Sequence, residues 1–117
     1  MRITMMSIVA AMGFMLGGSA LAAEMPALAK KNECDACHAI DKKVVGPAWM
    51  TISRKYKRAT KYMYGGREYA LEDGLVMKVS QGGSGNWGAM PMPPNDPKGQ
   101  NQDDMRTLVR FVLNLAK

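Results

Sequence analysis

Cys34-Asp35-Ala36-Cys37-His38 is the stretch on which the reading of the chain turns. Two thiols three positions apart, followed at once by an imidazole, suit three chemistries: a dithiol or disulfide, part of a zinc site, or the attachment of a haem c. Zinc fits poorly, because the chain holds only two Cys and one His and would have to recruit carboxylates that show no matching pattern. A thioredoxin-like dithiol enzyme needs strands alternating with helices, and that alternation is missing. Haem attachment accounts for all three residues: the thiols add across vinyl groups at one edge of the macrocycle, and His38 rises beneath its centre to bind iron. A redox dithiol and a structural disulfide stay as alternatives, separable by haem staining of the denatured protein.

Upstream, Met1 to Ala22 holds one basic residue, Arg2, no acid, the apolar run Met5 to Leu16 and the small-residue exit Ala20-Leu21-Ala22. This pattern predicts a secretory signal peptide over residues 1–22 and a single domain over residues 23–117. An apolar run of about twelve residues falls well short of the roughly 20 that a bilayer-spanning helix needs, so no stable membrane insertion of the mature form is expected. No Cys lies there to carry a lipid anchor. Haem c is attached after translocation, so the export signal and the Cys-x-x-Cys-His motif support one another, and the expected location is the periplasm.

The full chain of 117 residues has a formal charge of +6, and removing residues 1–22 takes away Arg2 alone. A mildly basic surface suits nucleic acid, anionic lipid or an acidic protein. Export and the lack of any nucleic-acid-binding signature argue against the first. The densest cluster, Arg54, Lys55, Lys57, Arg58 and Lys61, reads either as a solvated helix face or as a docking patch. A mature domain of this size is near the limit at which one core is self-sufficient, and a haem would supply apolar surface to pack on.

Downstream, helical patterns dominate and the expected class is all-α. Helices are predicted over Glu24 to Asn32, from Ala48 to about Lys57 with Pro47 at its start, and from about Glu68 to Ser80, where Gly74 is out of place in a helix interior. The clearest helix is the last, with Met105, Leu108, Val109, Val112 and Leu115 at helical spacing and Asp103 or Asn101 as its cap. Its stripe is expected to cross the Ala/Leu face of the first helix.

A six-coordinate iron needs a second axial ligand, and with His38 the sole histidine this cannot be a second imidazole of the same chain. Of the seven methionines beyond Ala22, most read as flexible core filler. Met90 and Met92 differ, because Ala89-Met90-Pro91-Met92-Pro93-Pro94-Asn95 is a stiff, non-helical segment able to hold one thioether over iron.

These residues together resemble a small class I bacterial monohaem cytochrome c of the cytochrome c-551/c-552 family. The likeness rests on Cys34-Asp35-Ala36-Cys37-His38, Val45-Gly46-Pro47-Ala48, Trp87-Gly88-Ala89-Met90-Pro91-Met92-Pro93-Pro94-Asn95 and Thr107-Leu108-Val109-Arg110-Phe111-Val112-Leu113, and it covers essentially the whole mature chain. It implies the class I cytochrome c fold, three to five helices wrapped around one covalent haem, with the N- and C-terminal helices crossing. It implies iron ligation by His38 and Met92, with Met90 at a position usually held by another apolar residue. It also implies that the Pro47 carbonyl accepts the Nδ1 hydrogen of His38 and that the Trp87 indole N–H reaches a haem propionate; the other reading of Trp87 is a core aromatic. Trp49 is expected to line the pocket. The segment from Trp49 to Gly83 is longer than usual for the family, and its four tyrosines, around Gly65-Gly66, read as packing over the extra chain or as a partner or quinol contact.

The expected function is that of a monomeric one-electron carrier of a respiratory chain, not an enzyme, because iron with both axial positions filled has none left for substrate. Lys30, Lys31, Lys42 and Lys43 lie near the haem motif in sequence and would steer an acidic redox protein partner. The rivals are a haem enzyme or gas sensor with a labile Met92, and a thiol oxidoreductase using Cys34 and Cys37.

Overall fold

The computed structural model describes residues 23–117; the predicted signal peptide over residues 1–22 lies outside the described residues. In chain order the elements are α1 (Ala27–Lys31), a 3₁₀ turn (Cys34–Ala36), α2 (Trp49–Lys55), β1 (Lys61–Tyr64), β2 (Arg67–Ala70), α3 (Leu71–Gln81), β3 (Gly83–Gly85), β4 (Gly88–Met92) and α4 (Gln102–Asn114). The helices carry the core, and the strands form two separate antiparallel hairpins, β1–β2 and β3–β4.

Helix α4 is the centre of the packing. Met105, Leu108, Val109 and Val112 are buried at helical spacing and meet Ala29 of α1, Trp49 of α2, and Leu75 and Val76 of α3 in one cluster. The terminal helices therefore meet as expected. Ser53 of α2 is fully buried and satisfied: its hydroxyl donates to the Leu113 carbonyl at 3.1 Å and accepts the Ala116 N–H at 2.9 Å, which ties α2 to the end of α4. On the outside, Arg106 bridges Glu72 and Asp73 at 3.0 and 2.9 Å and Arg110 reaches Glu72, riveting α3 to α4.

The helices are shorter than their sequence patterns. Helix α1 begins only after Pro26, which holds the extended N-cap conformation, and ends where Glu33 turns left-handed with φ +57°. Helix α2 starts at Trp49, with Ala48 as N-cap, so Pro47 lies just outside it and keeps its carbonyl free for another partner.

The larger difference lies in the Tyr-rich segment. Glu68, Tyr69 and Ala70, predicted to start a helix, instead belong with Arg67 to β2, which pairs with β1 in the register Lys61↔Ala70, Tyr62↔Tyr69, Met63↔Glu68 and Tyr64↔Arg67. Gly65 and Gly66, both at positive φ, form the two-residue turn whose twist matches a hairpin. Alternation then buries Tyr62 and half-buries Tyr64, while Lys61 and Met63 face solvent. Tyr62 lies edge-on to Tyr56, ring centroids 5.5 Å apart, and both are buried, so these two tyrosines pack, while Tyr64 and Tyr69 are half-buried.

Candidate functional site

The Cys34–Ala36 turn presents Cys34, Cys37 and His38 to one cavity of about 660 Å³, a size ordinary for a cofactor site. Its walls are chiefly apolar, with Trp49, Ile52, Leu75, Leu108 and Val109 among them. Those residues come from three helices of the core, so the cavity is the space the helices leave at their centre.

On the proximal side, the Cys37 carbonyl accepts the N–H groups of Val45 and Gly46 at 3.2 and 2.7 Å, folding the chain back under His38. The next residue then brings its free carbonyl to the imidazole: His38 Nδ1 lies 2.7 Å from the Pro47 oxygen. A carbonyl only accepts, so Nδ1 carries the hydrogen and Nε2 keeps the lone pair needed by a metal. Burial lowers the pKa of His38, against a smaller opposing effect of the Pro47 bond, which favours that neutral tautomer. Gly46 sits directly against the ring, where a Cβ would come within 2.6 Å of Cε1. Trp49 also packs near the ring, centroids 6.0 Å apart and planes tilted by 39°, and is itself braced by Phe111.

Burial, and then the charge of Asp35, push the Cys34 thiol above its ordinary pKa, while Cys37 is more open. Among the described residues no three His, Cys, Asp or Glu side chains gather as a metal site, which leaves zinc without its ligands.

Met90 and Met92 both line the same cavity, as does Trp87. They differ in exposure: Met90 is 65% exposed and Met92 is half-buried at the end of β4. Trp87 is 37% exposed, and the Lys55 ammonium stands 4.4 Å from its ring centre.

After β4 the chain is pinned again. Asn95 and Asp96 donate their backbone N–H to the carbonyls of Val79 and Ser80 on α3, and the Asp96 carboxylate accepts the N–H groups of Gln100 and Asn101 and the Gln102 amide. Asn101 stands at the N-cap of α4 with no side-chain capping bond, and Asp103 lies inside the first turn, so neither caps the helix as predicted; Asp96 instead braces the turn that leads into it. Its carboxyl is held below the usual range, first by Gln102 and then by the two backbone donors. A folded pKa below the unfolded value of about 3.9 stabilises the fold above that pH, and the contribution is lost as pH falls through the folded value. Asp96→Asn therefore lowers the thermal midpoint at neutral pH, since its NH₂ group must face either the Gln100 N–H or the Asn101 and Gln102 donors, and cannot accept from them. The gap between variant and wild type closes as melts are taken from pH 5 towards pH 2; a constant gap would exclude the carboxylate as its cause.

Sequence reasoning quoted Gly46 without a role, read Tyr62 only as one of the tyrosine cluster, and gave Asp96 no role. The Gly65-Gly66 pair between alternating tyrosines was the available signal for Tyr62; Asp96 had no local one.

The cytochrome c family model matches residues 22–116. Cytochrome c-551 of Allochromatium vinosum is 39% identical over 88 residues, spanning 75% of this chain and 82% of that protein. Cytochrome c-552 of Hydrogenobacter thermophilus is 42% identical over 90 residues, with 75% and 78% covered. The crystal structure of wild-type cytochrome c552 from Nitrosomonas europaea superposes with a TM-score of 0.61 at 39% identity, covering 75% of this chain and 95% of that one. One covalently bound haem c with its iron goes with this family, and the cavity, the two thiols and the tautomer of His38 fit it. The chain belongs to the cytochrome c family, with the class I fold and with Cys34, Cys37 and His38 as its attachment motif.

Proposed function

We propose that the chain is a periplasmic, monomeric one-electron carrier of a respiratory chain, exported by a signal peptide over residues 1–22, with His38 and Met92 as axial ligands of its haem iron. The observation that carries this reading is the pairing of a buried, neutral His38 with a half-buried Met92 on one apolar cavity. The haem, when bound, supplies a ferric/ferrous couple. The residues do the rest. Pro47 fixes the lone pair of His38 on Nε2. Pro91, Pro93 and Pro94 stiffen the backbone on either side of Met92, lowering the entropy lost in holding a thioether at one point. Apolar walls exclude water and disfavour added positive charge, which raises the reduction potential. With both axial positions filled the protein has no place for substrate, and so it is a carrier and not an enzyme. Trp87, at the mouth of the cavity, is assigned to a haem propionate. Lys30, Lys31, Lys42 and Lys43 are exposed and suit a transient interface with an acidic redox protein.

Separate replacement of Met92 and Met90 by Ala tests the ligand. Met92→Ala abolishes the thioether-to-iron absorption of the ferric protein and admits carbon monoxide rapidly to the ferrous form, whereas Met90→Ala preserves the wild-type spectrum. Thioether absorption surviving in Met92→Ala would refute the assignment, and rapid, stoichiometric carbon monoxide binding by the wild type would favour a gas sensor or haem enzyme over a carrier.

A further inference from the structure

Gly82 to Met92 forms a strap along the cavity whose own cohesion is poor. Gly82, Gly83, Gly85 and Gly88 are all at positive φ, β3 is wholly exposed, and β4 is exposed up to Met92. Glycine brings no side chain to pack and a large entropy cost of ordering, so such a segment belongs to the least stable part of a fold unless something outside it holds it.

Strand β1 supplies that hold. Tyr62 and Tyr64, two residues apart, project from one face of the hairpin towards the strap. The Tyr64 hydroxyl donates to the Gly82 carbonyl at 2.9 Å, at the start of the strap. The Asn86 side-chain amide donates to the Tyr62 hydroxyl at the hairpin tip, next to Trp87. Lys55 adds to the same tip, 3.5 Å from the Asn86 carbonyl and over the Trp87 ring.

Tyr62 is itself seated with little freedom. It is 3% exposed, edge-on to Tyr56, and lies against α3 where Gly74 has no side chain; a Cβ there would stand 2.7 Å from Tyr62 Cβ. Burial pushes its phenol up to about 12, so the hydroxyl stays neutral throughout the physiological range.

We propose that the β1–β2 hairpin is a latch in which Tyr62 and Tyr64 are positioning residues, holding the Gly82–Met92 strap over the cavity and setting how long Met92 stays on the iron. The proposal rests on Met92 as axial ligand. It gives the longer Tyr-rich segment a task beyond packing: an external clamp on a strap too glycine-rich to hold itself.

The test uses the holoprotein and the rate at which imidazole displaces the distal ligand of the ferric form, followed by loss of the thioether absorption. Tyr62→Phe and Tyr64→Phe keep the rings and remove the hydroxyls; each raises the displacement rate about tenfold, the order expected for one hydrogen bond. Asn86→Ala removes the Tyr62 bond from the strap side and reproduces the Tyr62→Phe rate, and the pair combined adds nothing further. The control is Ser53→Ala, which deletes a buried hydroxyl joining α2 to α4 and lowers the melting temperature without touching the strap. Its displacement rate stays at the wild-type value. Phe variants no faster than Ser53→Ala would overturn the latch, as would a Tyr62→Phe rate unchanged by adding Asn86→Ala only because both match the wild type. Where Tyr62→Phe does not accumulate, Asn86→Ala alone decides. The reading beneath it fails differently: thioether absorption would then survive in Met92→Ala, whatever the tyrosine variants do.

Discussion

Replacing Gly46 by Ala lowers the yield of haem-bearing protein several-fold and takes roughly 10 °C or more from the melting temperature of what accumulates. The added Cβ would stand 2.6 Å from His38 Cε1 and about as close to both ring nitrogens, at 3.0 and 3.1 Å. Backbone conformation is not the obstacle, since Gly46 is not at positive φ and Ala suits its dihedrals. The ring is the obstacle, because it cannot yield cheaply. Nδ1 is tied to the Pro47 carbonyl at 2.7 Å, Trp49 packs near the ring, and the Gly46 N–H is itself held by the Cys37 carbonyl. Overpacking of this kind costs about 1–3 kcal/mol, and a buried hydrogen bond left unmade costs about 1–3 kcal/mol more. In a domain of this size about 1 kcal/mol corresponds to roughly 4–8 °C. The nearby Val44→Ala, at a position 46% exposed and away from the cavity wall, leaves yield and melting unchanged. Haem-stained gels and thermal melts followed in the Soret band read both quantities; a Gly46→Ala protein with wild-type yield and melting would show that His38 can move without loss.

What the sequence made legible was local. Cys34, Cys37 and His38 are adjacent residues whose spacing is the chemistry, and Pro47 belongs to a short turn from them. Of the stripe of α4, Met105, Leu108, Val109 and Val112 are buried as read, while Leu115 falls at the C-cap and is half-buried. Strand formation in the Tyr-rich segment was missed because its alternation is aromatic and charged, not β-branched, and runs for only four residues a side. The brace before α4 was missed because Asp96 reaches the Asn101 N–H from five residues earlier, through a turn that no pattern announces. Elements set by neighbours in sequence were readable, and those set by contact between distant segments were not. Gly74 shows the difference within one residue: out of place in a helix by propensity, it is explained only by Tyr62, twelve positions earlier.

Gly74→Ala consequently moves stability in the direction opposite to helix propensity. In an exposed helix interior the change would stabilise by about 1 kcal/mol. Here the new methyl would lie 2.7 Å from Tyr62 Cβ and 2.9 Å from Cδ1, and a Cβ cannot swing aside as a side-chain terminus can. Tyr62 is fixed in turn by its pairing with Tyr69, by the Tyr56 ring and by Asn86, so the strain must spread into the hairpin or part it from α3. Overpacking at about 1–3 kcal/mol exceeds the propensity gain, and a separated Tyr62 adds an unmade buried hydrogen bond, so the net is a loss of about 2 kcal/mol. Denaturant unfolding of the holoprotein measures it. Combining the change with Tyr62→Ala opens room for the methyl, and in that background Gly74→Ala becomes neutral or stabilising. A destabilisation undiminished in the double variant would mean that Gly74 is required for some reason other than the seat of Tyr62.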